Sequence, residues 1–289
     1  MKKQYLYAGV SIFLWSTTST ITKLLLGSLN SMQILVISSI FAALFLLIIN
    51  IKKKNLPQLK AFKIKDFIQI AGLGILGTFL YNLCLYIGIN KMQASQAFII
   101  NYLWPLMTVI FACIILKEKL TTRKLIAIIL SFIGVIVVTS NGNLLNISKD
   151  TLIGAVFCIL AAVSYGLFCV LNKQKNYNKY LSMMLFYCTS ATISLIYIFI
   201  TKTWFVLNGA KLAGLLWIGV FTSATAFTSW AIALEKGDTA KISNLAYITP
   251  FLSLIWTACI LKEKISLYAI AGLLIIVFGI VIQLKENEN

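Results

Sequence analysis

Asn101-Tyr102-Leu103-Trp104-Pro105, running on to Leu116-Lys117-Glu118-Lys119, returns 145 residues later as Ala246-Tyr247-Ile248-Thr249-Pro250 and Leu261-Lys262-Glu263-Lys264. Gly134 falls on Gly279 at the same offset, and residues 101–138 share nine identities with 246–283 over 38 aligned positions. Apolar composition alone yields chance matches among Leu, Ile and Val, but not an aligned proline and an aligned Lys-Glu-Lys triplet. The chain therefore reads as two copies of one unit, 1–145 and 146–289. Near the starts of the halves the register drifts, and Lys23 matches Lys173 at an offset of 150.

The material of these units is membrane-like. Of the 289 residues 60% are hydrophobic and only 11% are charged, too few to clothe a water-soluble globule. A bilayer core of ~30 Å takes about 20 helical residues. Nearly charge-free runs of that size lie at 5–26, 31–50, 66–89, 94–116, 123–140, 151–171, 181–201, 209–234, 239–261 and 266–284. The expected fold is thus an all-α polytopic membrane protein with ten transmembrane helices. The start Met1-Lys2-Lys3 has the charge order of a secretory signal, but the apolar run after it is too long and lacks a small-residue exit, so it reads as the first helix. Five helices per unit is an odd number, so the second unit enters the membrane from the opposite side, the inverted repeat of alternating-access carriers.

The excess of base, a formal net charge of +17, follows topology. With the N-terminus inside, eighteen basic residues fall in inside segments and six outside, which places both termini in the cytoplasm. Six of the eighteen are lysines of the 51–65 loop, which reads as a solvated loop, with contact to anionic headgroups as the alternative. A nucleic-acid partner would need a basic face on a soluble domain, and no loop exceeds about 15 residues. The expected partners are the bilayer and a small-molecule substrate, for a monomer or weak homo-oligomer.

Absent residues narrow the chemistry further. There is no His, and all six cysteines lie in apolar runs with no CxxC pair, so they read as small buried hydrophobes and no metal or cofactor is expected. The eight acidic residues sit at helix ends or in loops, leaving no midplane carboxylate for proton exchange. A membrane-embedded enzyme needs a nucleophile with a base or a metal cluster, and none can be assembled here. A channel needs a ring of selectivity groups, equally missing.

Polar side chains in membrane helices face the interior, so their stripes trace the pathway. In the first helix Ser11, Trp15, Thr18 and Thr22 share a face; in the third, Gly74, Gly77 and Gly88 flank Tyr81; in the fourth, Ala97, Asn101, Trp104 and Thr108 align. The sixth helix offers Tyr165 and Asn172, the eighth Thr222, Thr225, Ser229 and Trp230, the ninth Tyr247, Thr249 and Ser253. Trp204, Trp217, Tyr5 and Tyr7 read as interface anchors instead. The expected substrate-binding set is Trp15, Thr18, Tyr81, Asn101, Trp104, Tyr165, Trp230 and Tyr247. Pro105 and Pro250 kink their helices and free the carbonyls of Asn101 and Ala246. With Lys23 and Lys173, the basic residues nearest helix interiors, they form the expected hinge or gating set.

Leu14-Trp15-Ser16-Thr17, Asn101-Tyr102-Leu103-Trp104-Pro105 and Tyr247-x-x-Pro250, in two inverted five-helix halves, resemble the drug/metabolite transporter (DMT) superfamily, EamA family, and most closely its YddG-type aromatic amino-acid exporters. The resemblance covers the whole chain. It implies a basket of helices around a central cavity, with Trp15, Tyr81, Trp104 and more weakly Trp230 in its wall. It departs at Tyr165, near where relatives often carry Trp. The proton-coupling glutamate of small multidrug resistance relatives is also missing from the first helix. The expected function is a secondary transporter of the inner or plasma membrane that exports aromatic or other apolar amino acids and related metabolites by alternating access. Competing readings are an anionic phosphorylated metabolite steered by Lys23 and Lys173, a nucleoside, an organic cation or drug, and, from another class, a membrane-embedded receptor or enzyme.

Overall fold

The computed structural model describes residues 3–117, 121–143, 147–236 and 245–284. Glu118, Lys119, Asp238, Lys241, the tail and the expected boundary at 145/146 lie outside them. The described residues are helical with no strand. In order they form α1 (Lys3–Ser16), α2 (Thr18–Leu26), α3 (Ser31–Lys52), α4 (Ile64–Gly74), α5 (Tyr81–Lys91), α6 (Ala94–Asn101), α7 (Trp104–Ile115), α8 (Thr122–Ser140) and α9 (Lys149–Lys173). There follow α10 (Lys179–Thr201), α11 (Gly209–Leu216), α12 (Ala226–Lys236), α13 (Ile248–Ile260) and α14 (Leu267–Leu284). Among the described residues seven helical stretches are long and apolar enough to cross a membrane, and α13 and α14 are shorter apolar helices. The chain is an integral membrane protein.

Several expected helices are interrupted, each for a local reason. Between α1 and α2 the hydroxyls of Ser16 and Thr17 turn back onto the carbonyls of Phe13 and Leu14, both at 2.7 Å, offering the backbone an alternative to its ladder. Between α6 and α7 the chain tightens, Leu103 N–H reaching the carbonyl of Ile100 at 3.0 Å, and Pro105 then sits in the first turn of α7, where a missing N–H costs nothing. Pro250 likewise occupies the first turn of α13. The expected kinks are therefore helix breaks. The carbonyl of Ala246 is not freed as expected, because Thr249 N–H occupies it at 3.0 Å. Two wide turns interrupt α4–α5 at Ile75–Leu80 and α11–α12 at Trp217–Thr225, where the ladder steps to i−5.

Helix pairing has a symmetry of its own. α3 packs on α10, α8 on α14, α1 on α12 and α5 on α9, while α7 lies on α9 and α13 on α1. Exchange of the two halves of the chain maps this set onto itself. The two wide turns exchange with each other, and Lys117 and Lys262, one repeat apart, share the left-handed backbone at φ +55° and +57°.

Close helix approach rests on glycine, since membrane helices associate by backbone proximity rather than by apolar exclusion from water. α8 and α14 cross where a Cβ on Gly134 would meet Ile276 at 2.5 Å and the carbonyl of Gly272 at 2.8 Å. The Gly74, Gly77, Gly88 stripe lets α4 and α5 lie on Phe186, Phe168 and Cys158.

Cys84 and Cys158 are buried, but Cys188 and Cys259 are exposed, a correction to the reading of all six as buried. Lipid is itself apolar, so a thiol on the outer face of a membrane helix needs no protein around it.

Candidate functional site

The interruptions converge on one place. α1 and α2 bring Trp15 and Thr18 to either side of the Thr17 break, and α5 brings Tyr81, Asn82, Leu85 and Tyr86 as it leaves its wide turn. The α6–α7 corner adds Phe98, Asn101, Tyr102 and Trp104, α9 adds Tyr165, and the other wide turn with α12 adds Thr222, Ser223 and Phe227. The cavity so walled contains about 500 Å³ between its walls, its open part included. Among the described residues no charged one lines it.

Rings define its shape. Tyr165 stands at the hub, with ring centroids 4.7 Å from Tyr81, 5.2 Å from Trp104, 5.6 Å from Phe168 and 5.8 Å from Phe227. The Trp104 and Phe227 contacts are edge-to-face, the arrangement the aromatic quadrupole favours. Phe227 also reaches Trp15 at 5.0 Å, so one phenyl joins both sides of the wall.

Hydrogen bonding in the wall is incomplete in a specific way. Asn101 Nδ2 donates to the Tyr81 hydroxyl at 3.2 Å, while Asn101 Oδ1 is buried with no partner. Trp15 Nε1 is buried and equally unpartnered. A buried donor or acceptor without a partner costs about 1–3 kcal/mol. Here one of each belongs to a residue of the cavity wall.

Of the eight residues expected to bind substrate, Trp15, Thr18, Tyr81, Asn101, Trp104 and Tyr165 line the cavity. Trp230 does not: it backs Trp15 at 5.4 Å, buried one layer behind. Tyr247 is packed into the core cluster that holds Tyr102 and Leu103. Lys23 and Lys173 are also away from it. Lys23 Nζ donates to the carbonyls of Ile89 and Met92 at 2.6 and 2.8 Å, and Lys173 is exposed at the end of α9.

Phe227, Ser223, Asn82 and Tyr86 escaped the sequence reading. A 3.6-residue period from Thr222 reaches Ser229 and Trp230; the wide turn before α12 adds a residue, and Thr222 shares the wall with Phe227 instead. The i−5 bond from the Thr225 hydroxyl to the carbonyl of Val220, at 2.7 Å, is the trace of that extra residue. Trp217 is also corrected. Its indole N–H donates to Thr17 at 2.9 Å, and Trp256 does the same to Ser16, so both fasten the α1–α2 break rather than anchor at the interface.

The EamA-like transporter family matches the chain twice, over residues 2–140 and 152–284. The chain belongs to this family. Uncharacterized transporters are among the relatives of this EamA protein. One from Clostridium kluyveri (strain ATCC 8527 / DSM 555 / NBRC 12016 / NCIMB 10680 / K1) is 27% identical, over all of this chain and 95% of its own length. One from Archaeoglobus fulgidus (strain ATCC 49558 / DSM 4304 / JCM 9628 / NBRC 100126 / VC-16) is 23% identical over 99% and 100%. The aromatic amino acid exporter YddG of Escherichia coli (strain K12) is 22% identical over 69% of this chain and 71% of its own. A protein of known crystal structure shares the fold, with a TM-score of 0.72 at 17% identity over 97% of this chain and 96% of the other. EamA proteins are transporters, and transport across a membrane is the activity the match gives this chain.

Proposed function

We propose that this EamA transporter is a ten-helix secondary carrier of two inverted five-helix repeats, 1–145 and 146–289. It lies in the plasma membrane with both termini cytoplasmic, and exports aromatic or other apolar amino acids and related small metabolites. The observation that carries the reading is the uncharged, ring-walled cavity with an unpartnered acceptor on Asn101 and an unpartnered donor on Trp15. A zwitterionic amino acid supplies the complementary pair, its ammonium to the amide oxygen and its carboxylate to the indole N–H. Its side chain then stacks among Tyr81, Trp104 and Tyr165, and ring faces add cation–π attraction of about 0.5–2 kcal/mol to the ammonium. The symmetric helix pairing supports alternating access, because rocking one half against the other exposes a shared cavity to each side in turn. Monomer, bilayer and small molecule suffice for this cycle.

Efflux of labelled Phe, Tyr and Trp from proteoliposomes tests the reading. Transport of at least one, reduced about tenfold or more in Trp104→Ala, is expected. No transport of any of the three, with Trp104→Ala carrying whatever is transported at the wild-type rate, overturns it.

A further inference from the structure

Glu263 lies in the connector between α13 and α14, far along the chain from α6, yet its carboxylate closes on the start of that helix. Ala94 N–H donates to Oε1 at 2.8 Å, Ser95 N–H to Oε2 at 3.0 Å, and the Ser95 hydroxyl to Oε2 at 2.6 Å. An anion against the exposed N–H groups and positive pole of a helix makes charge-assisted bonds, the strong class. On the other side of the Met92-Gln93 corner, Lys23 Nζ donates to the carbonyl of Ile89 in the last turn of α5 and to that of Met92, the residue just beyond it. Each charge thus meets a helix pole it favours.

The helix held this way is short. α6 has eight residues, all buried, and breaks at Tyr102 before Pro105 restarts the chain. Its latched end is Ala94 and Ser95, and its other end carries Phe98 and Asn101 in the cavity wall. Any displacement of the latched end is carried along a rigid two-turn rod to the substrate-facing amide. Glu263 belongs to the second half of the chain and α6 to the first, so the contact also ties the halves together at this end of the bundle.

We propose that Glu263 is the latch of a gate: while it caps α6 the two halves are joined at the Met92-Gln93 end, and its release frees α6 to swing, opening the cavity there and withdrawing Asn101 from the substrate. Lys23 acts as a positioning residue that holds the corner against which α6 closes. The proposal rests on the alternating-access reading above. The Lys91–Asp150 ion pair, 2.9 Å long, bridges the same corner, but with side chains 40% and 64% exposed it is screened by solvent and serves as the control.

Hydrogen exchange of the whole protein in lipid nanodiscs reads the latch without any transported ligand. Glu263→Ala is expected to speed amide exchange across 94–101 by about tenfold or more, with the other helices and the elution profile unchanged, and Asp150→Asn to leave it at the wild-type rate. If Glu263→Ala does not yield a monodisperse protein, Glu263→Gln, which keeps one acceptor, is expected to give a smaller increase in the same segment. Unchanged exchange of 94–101 in the monodisperse variant overturns the latch. Opening is read by an impermeant maleimide on Thr18→Cys, in a background whose native cysteines are replaced, with reagent on the Lys91 side. Labelling is expected to rise several-fold with Glu263→Ala; faster exchange without faster labelling reduces Glu263 to a local cap and overturns the gate. Should both responses appear while wild-type protein transports no amino acid, the proposed cargo fails and the latch stands.

Discussion

Trp15 packs its ring on Phe227 and Trp230 while its indole N–H is left without a partner, and the two properties can be separated by substitution. Trp15→Phe keeps a ring and removes the donor. Half-saturation of efflux is expected to rise about two- to tenfold, the worth of one hydrogen bond. Trp15→Ala should cost more, since both ring contacts go with it. Wild-type half-saturation in Trp15→Phe would mean that the N–H meets no substrate. Among the described residues no carboxylate lines the cavity and the chain has no histidine, so binding of a zwitterion is expected to be flat between about pH 5 and 8; a titration step in that window would place an ionising group in the wall. At this scale the sequence was legible where a residue type has few uses. Trp15, Asn101 and Trp104 were readable because polar and aromatic groups at membrane depth must face something. Lys23 was not: a lysine near a helix end looks the same whether it snorkels, meets an anion or, as here, caps a neighbouring helix.

The helices around the cavity, the continuous α9 apart, are broken or widened where they touch it, and the rigid crossings lie next to those breaks. Gly166 follows Tyr165 directly, and a Cβ there would meet Met107 Cβ at 2.6 Å and the backbone of Thr108 at 2.8 Å. Backbone cannot move aside as a side chain does, so Gly166→Ala is expected to cost about 1–3 kcal/mol and lower the melting temperature in detergent. Gly9→Ala, with nothing within 4 Å, should leave it unchanged. Equal melting of the two variants would contradict the α7–α9 crossing. Element boundaries were legible: charge-free runs such as 31–50 and 181–201 end within about two residues of α3 and α10, because bilayer thickness fixes helix length. The wide turns were not legible, since a residue added inside a helix leaves no mark on composition, and Phe227 was lost with it.

The proposed opposite threading of the two halves makes a prediction about sides. Lys60, in the loop after α3, and Lys211, at the start of α11, are expected on opposite faces of the membrane. In cells, with native cysteines replaced, an impermeant maleimide should label Lys211→Cys and spare Lys60→Cys; labelling of both or the reverse pattern contradicts the orientation. The repeat itself was legible from Pro105 and Pro250 and from the two Lys-Glu-Lys triplets, and helix pairing that survives exchange of the halves agrees with it. What the repeat could not convey is that Glu263 of the second triplet reaches back to α6, because that contact is set by how the halves dock and not by either copy alone. The most direct measurement of the central claim is a thermal-shift panel on the purified protein, since only a ligand that prefers the folded form raises its melting temperature. Trp, Phe and Tyr are expected to raise it in wild type and not in Asn101→Leu. A rise with a phosphorylated sugar, a nucleoside or an organic cation, and none with the three amino acids, would contradict a cavity built for an aromatic zwitterion.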